Sequence, residues 1–245
     1  MSVPLRDPLF PGSVGMSDLR VYEWETADGH HGGTPHLHTV SNEGYVVVGG
    51  TGEVHTLSSE GYARDSLSAG SVLWFSPGTV HRLVNSGDLH ILTVMQNSGL
   101  PEAGDAVLTF PLEIVEDPER YRTAVTLPEG SEAERGEAAR RRRDLAIEGY
   151  SNLLAALENG DRGPLEAFYA AAAALVQPRV EEWTKLWTDT VLADVEITRS
   201  QLASLAEGDA SHLGDATVVR AVPRSEPRAF GMCGRLGIWD ADRRG

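Results

Sequence analysis

Apolar and polar positions alternate over short runs from Leu19 to Pro111, and this pattern predicts strands over Arg20–Glu25, His36–Val40, Gly44–Val48, Glu53–Leu57, Ala63–Leu67, Ser71–Ser76, His81–Asn85, His90–Gln96 and Ala106–Phe110. Turn-forming residues separate them: Gly49-Gly50, Ser59–Gly61, Ala69-Gly70, Pro77-Gly78 and Asn85–Asp88. Many short, evenly spaced strands argue for an antiparallel sandwich or barrel. The period changes after Glu129-Gly130. Ser131 with Glu134 reads as a capping box, and Tyr150, Leu153, Leu154 and Leu157 recur at helical spacing up to Gly160. Pro164 suits a first helical turn. It opens a second stripe of Leu165, Phe168, Tyr169, Ala172, Leu175 and Val176, which Pro178 should break or kink. A third stripe carries Val180, Trp183, Trp187, Val191, Val195, Leu202 and Leu205, with Gly208 as its cap. Beyond Ala210 the chain reads as irregular, with short strands at Thr217–Val222 and Arg235–Trp239. The division expected is a β-barrel domain over 1–125 and a helical extension with an irregular tail over 126–245.

Charge narrows the partners. The chain has 36 acidic against 21 basic residues, a formal charge of −15. That balance disfavours nucleic acid and anionic membranes. The run Arg140–Arg143 is flanked by Glu137, Asp144 and Glu148 and reads as a solvated helix face. One cysteine, Cys233, cannot form an internal disulfide. Met1 to Gly15 lack a basic-then-apolar signal pattern, and no run approaches the ~18 apolar residues of a membrane span. A cytoplasmic protein is expected.

The residues that carry chemistry are His36, His38, Glu43 and His81. Two histidines two apart on a strand share a face. Glu43 returns after a short turn, and Ser76-Pro77-Gly78 feeds His81 into a later strand. Three imidazoles and one carboxylate suit a first-row divalent metal. Weaker candidates for lining the same cavity are Tyr45, Trp74, His90 and Met95. Trp74 and Met95, with Phe75, fit packing better than substrate contact. His55 reads as a surface strand residue, His30 and His31 as loop residues, Trp183 and Trp187 as an interface between helices. Cys233 lacks a partner that would make it a catalytic thiol.

These motifs resemble those of the cupin superfamily. His36-x-His38, four residues, Glu43, six residues and Gly50 follow its first motif, although His30 stands where the opening glycine is expected. Gly70, Gly78, His81 and Asn85 follow the second, with Pro77 displaced by one position. The resemblance spans roughly residues 17–111. It implies an antiparallel jelly-roll barrel holding one divalent first-row transition metal on His36, His38, Glu43 and His81, iron first, with manganese, nickel, copper and zinc also open. By analogy it implies a metal-dependent oxygenase or dioxygenase acting on a small organic molecule, with Glu43 a ligand that also serves as a base. A sugar or sugar-phosphate isomerase or lyase is a second reading. Residues 1–111 weigh against it, holding four arginines, no lysine and twelve acids. A non-catalytic small-molecule-binding barrel is the third. Open sheet edges suggest a homodimer.

Overall fold

The computed structural model describes residues 10–224 and 226–243. Residues 1–9, which include the start of the expected barrel domain and of the segment read for a signal, lie outside the described residues.

The N-terminal half is an antiparallel jelly-roll barrel. Its strands are β1 (Gly15–Val21), β2 (His36–His38), β3 (Glu43–Ser58), β4 (Gly61–Ser68), β5 (Val72–Phe75), β6 (Val80–Met95) and β7 (Ala106–Leu108). β3 and β6 pair along most of their length, β4 and β5 pair with β3, and β2 bridges β6 and β7.

Four of the expected strands are really two. Gly49-Gly50 does not end a strand; it is where the β3–β6 register shifts. Gly50 has φ +71°, and a Cβ there would sit 2.2 Å from the Asp88 carbonyl oxygen. A bulge keeps the strand and bends it, which a long strand in a closed barrel requires. On β6, Asn85 holds the matching irregularity. Its Nδ2 donates to the Val21 carbonyl, and its Oδ1 accepts from the Gly87 and Leu89 amides.

The helices are α1 (Leu112–Val115), α2 (Pro118–Val125), α3 (Glu132–Glu158), α4 (Gly163–Val176), α5 (Val180–Trp187) and α6 (Ala193–Ala206). The capping box at Ser131 and Glu134 is formed. Pro178 sits in a single 3-10 turn that interrupts the helical run, and a π-helical turn joins α5 to α6. The helices pack on the barrel's outer face: Tyr150, Leu165 and Phe168 share one apolar cluster with Leu37, Leu57 and Val80. Gly149 allows the closest approach, since a Cβ there would lie 2.1 Å from the Thr109 carbonyl oxygen. A second cluster, including Leu19, Val47, Leu83 and Ile91, fills the barrel itself. Among the described residues no helix is long and apolar enough to cross a membrane.

Three expectations need correction here. Only half of the basic run is a solvated face: Arg140 and Arg141 are exposed, whereas Arg142 and Arg143 turn inward. Arg143 is 1% exposed and donates to the Trp24 and Glu25 carbonyls, while Arg142 donates to those of Val125 and Gly231. Their long stems and fixed donor forks clamp α3 to the barrel. Trp187 reaches beyond the helices: its Nε1 donates to Asn97 Oδ1, just after β6. Nor does residue 125 close the barrel domain. After β8 (Val219–Pro223) and β9 (Ala229–Phe230), β10 (Gly234–Gly237) pairs antiparallel with β1 and joins the barrel's sheet. A final strand, β11 (Trp239–Arg243), pairs with β8.

Candidate metal centre

His36 and His38 project from the same face of β2, and Leu37 between them turns outward into the helix-facing cluster. His36 lies opposite His81 in the β2–β6 register. The Gly78 amide donates to the His38 carbonyl, tying the turn before His81 to β2. Glu43 opens β3. All four side chains are buried, and one donor atom from each lies within 4.8 Å of the others.

The surrounding hydrogen bonds fix what those atoms present. His36 Nδ1 lies 2.9 Å from the Thr34 carbonyl oxygen, and His81 Nδ1 lies 3.0 Å from that of Thr79. A carbonyl only accepts, so both Nδ1 atoms carry a proton, and in the neutral rings both Nε2 atoms present lone pairs. Those two Nε2 atoms stand 3.1 Å apart. His38 Nδ1 bonds to Asp105 Oδ1 at 2.6 Å, and its Nε2 turns to Glu43 Oε2 at 3.2 Å. His81 Nε2 is 3.0 Å from the same Oε2, yet that oxygen has no well-formed hydrogen bond. Buried lone pairs facing one another, beside an orphaned carboxylate oxygen, are costly unless a cation lies among them. Donors about 2.1 Å from one ion along perpendicular axes stand about 3.0 Å apart. The three spacings of 3.0–3.2 Å match that figure. The residues present therefore fit a divalent ion.

Without an ion the cluster is electrostatically strained. Burial, then the neighbouring His81 and His38, hold His36 well below the usual imidazole range. Burial also opposes charge on His38, but Asp105 and Glu43 outweigh it and raise His38 to about 10. Burial works against the Glu43 carboxylate too, yet His81 and His38 keep it well below the usual range.

Sequence reasoning missed the outer layer. Asp105 is fully buried; its Oδ2 accepts from the Ser41 amide, so one carboxylate orients His38 and anchors the turn that delivers Glu43. The tail was missed as well. The Thr34 amide and hydroxyl both donate to the Met232 carbonyl, and a Cβ on Gly33 would lie 2.6 Å from Cys233 Cα. Residues 232–238 thus close one wall of a cavity of about 210 Å³ that opens onto His36, His38 and Glu43. Burial and the Glu43 charge push the Cys233 thiol up, which keeps it protonated.

The weaker candidates divide. Met95 lines the cavity. Tyr45 is fully buried, with its ring against Phe75 and a hydroxyl that has no partner. Trp74 is 75% exposed, because alternation on β5 points it away from the barrel. His90 is corrected too: Ile91 takes the interior, and His90 pairs with Asp18 on the outer side. His55 is no surface residue. It is 3% exposed, bonded to Glu53 and to the Tyr62 hydroxyl.

An antiparallel barrel with inward-facing histidines and a carboxylate defines a class, and comparison with known proteins gives the same class. Residues 22–95 match the family model for a cupin domain, which assigns that stretch of the chain to the cupin fold. No curated protein matches it. Solved structures similar to it include an uncharacterized conserved protein with a double-stranded β-helix domain from Klebsiella pneumoniae. That likeness has 20% identity and a TM-score of 0.27, covering 35% of this chain and 67% of that one. A cupin protein from Bacteroides fragilis is 19% identical over 35% of this chain and 65% of its own, with a TM-score of 0.26. A variant of oxalate decarboxylase from Bacillus subtilis is 15% identical over 45% of this chain and 28% of its own, with a TM-score of 0.34. At these identities and TM-scores none of these likenesses assigns an activity to this chain.

Proposed function

We propose that the protein is a metal-dependent enzyme of the oxygenase or dioxygenase type acting on a small organic molecule in the cytoplasm. The observation that carries the metal reading is the meeting of three Nε2 atoms and the Glu43 carboxylate at 3.0–3.2 Å spacings. His36, His38, His81 and Glu43 would hold one divalent first-row ion, with iron the first choice. Such an ion supplies Lewis acidity and open positions where substrate and dioxygen can meet. The Thr34 and Thr79 carbonyls and Asp105 hold the three rings in place. The apolar cavity walls exclude water, and Glu43 is the group assigned to receive a substrate proton. The isomerase or lyase reading finds no lysine or arginine among the described residues that line the cavity. Pairing into a homodimer would use Val72 and Trp74 on β5, 61% and 75% exposed.

Elemental analysis of protein purified without an affinity tag, joined to oxygen uptake on a panel of small diketones, thiols and phenols, tests this. One equivalent of metal and uptake that disappears in His36→Ala is the expected result. Metal-free protein that gains none on incubation with Fe(II), Mn(II) or Zn(II) overturns the metal centre. Full metal with no uptake on any substrate overturns the oxygenase assignment.

A further inference from the structure

The cavity above the metal centre is chemically unusual within this chain. Three of its walls are Met16, Met95 and Met232, and a fourth is Cys233. The whole sequence has four methionines and one cysteine. Thioethers are flexible, polarizable and nearly apolar, so they fit a variable hydrophobic body and offer little to hydroxyl-rich ligands. No cationic side chain lines the cavity among the described residues, and Glu102 places a carboxylate there instead.

The interior polar groups are few and ordered. Thr93 on β6 lies opposite Ser17 on β1 and opposite Tyr45 on β3, which makes a row of three hydroxyls across adjacent strands. That row is two residues along from the one in which Met95 lies opposite Gly15 and Glu43. Thr93 is 5% exposed, lines the cavity, and its Oγ1 has no hydrogen-bond partner. A buried hydroxyl left unpaired lowers stability, and one that meets a cavity can be satisfied by a ligand.

We propose that this site takes a small, mostly apolar molecule with one anionic donor group for the metal and one polar atom for the Thr93 hydroxyl, which makes Thr93 a substrate-binding residue. The inference rests on the metal reading above. One carboxylate on a divalent ion leaves a single positive charge, enough for one enolate, phenolate or thiolate. A phosphate or dicarboxylate brings a second negative charge towards Glu102, with no arginine or lysine to receive it. A sugar brings several hydroxyls to a wall that offers few partners.

Calorimetric titration of the metal-replete protein tests the class, with metal content measured on the same samples. The probes are 2,4-pentanedione and catechol against glucose 6-phosphate and malonate. The first pair should bind, and Thr93→Val should weaken that binding about fivefold at unchanged metal content, whereas Thr93→Ser keeps it. The valine variant should also unfold about 2–4 °C higher in the absence of ligand, since it removes an unpaired buried hydroxyl. A threonine with a merely structural role would give a lower midpoint instead. Tighter binding of the phosphate or dicarboxylate, unchanged affinity in Thr93→Val, or a lowered midpoint overturns the proposal and leaves the metal centre standing. A protein that takes up no metal overturns both.

Discussion

His81 and Arg82 are consecutive residues of β6, and they enter two polar clusters on opposite sides of the sheet. Around Arg82 most polar groups are paired. Its guanidinium forks onto Asp28 and reaches the Thr26 hydroxyl, while His55, its register partner on β3, bonds to Glu53 and Tyr62. Only Arg82 Nε and the Tyr150 hydroxyl go without a partner there. Around His81 the reverse holds: each ring is pinned through Nδ1, and every Nε2 is left facing another donor or a carboxylate. Both clusters contain histidine and are built on a fully buried residue of β6. The difference is satisfaction. A network that closes on itself stabilises the fold, and one left open at its centre is built around something else.

Exchanging the two neighbours should separate those roles, with the largest effect at the open cluster. His81→Ala removes one of four donors and should lower metal affinity more than about 100-fold, with a native circular dichroism spectrum retained. The barrel's own apolar core, Leu19 to Ile91, does not depend on the ion. Arg82→Ala should keep its metal but lose about 2 kcal/mol in denaturant unfolding, since Asp28 remains partly buried without its partner. Metal loss in Arg82→Ala with none in His81→Ala would reverse the assignment.

The next effect is smaller and sharpens the same contrast through Asp105. Asp105→Asn keeps the shape and removes the charge behind His38, so metal affinity should fall about 10–100-fold in a competitive chelator titration. The pH dependence has a definite sign. In the metal-free protein His38 is raised to about 10 by Asp105 and Glu43 against the pull of burial. Its proton stabilises the metal-free fold fully below about pH 6.5, and that stability is lost as pH rises through about 10. The ion must displace that proton, so uptake should strengthen by up to about tenfold per pH unit between 7 and 9. The slope should flatten in Asp105→Asn; an equal slope would show that another group releases the proton.

The inner site was legible in the sequence because its geometry is local. Strand alternation puts His36 and His38 on one face, and short turns deliver Glu43 and His81. What surrounds them was not legible, for three physical reasons. The groups that orient His36 and His81 are backbone carbonyls of Thr34 and Thr79, which no side-chain pattern reveals. Asp105 acts across 67 residues from His38. The wall at 232–238 comes from a tail whose β10 pairs with β1 more than 200 residues away and carries two glycines in four residues. His55 was misplaced for a related reason. Alternation fixes that neighbours face opposite ways, but bulges at Gly49–Gly52 shift the parity between the two halves of β3, and only the packed helices bury its outer face.

The smallest expected effect concerns how that tail is held. Arg228 donates to Asp18 through both terminal nitrogens, to Oδ1 at 2.8 Å and Oδ2 at 3.2 Å, and Nη1 also reaches the Asp18 carbonyl. The Arg228 hydrogen bonds, helped by His90 and opposed by burial, hold the Asp18 carboxyl below its usual value. A depressed carboxyl stabilises the fold above its unfolded value of about 3.8, and that contribution is lost as pH falls below it. Both partners are partly exposed, so the contribution is at most about 1 kcal/mol. Asp18→Asn should therefore lower the neutral-pH unfolding midpoint by about 2–4 °C. It should also flatten the decline in midpoint between pH 5 and pH 3, because the variant has no carboxylate left to protonate there. An unchanged acid decline in Asp18→Asn would mean that other carboxylates set it and that β9 and β10 stay on β1 without this pair.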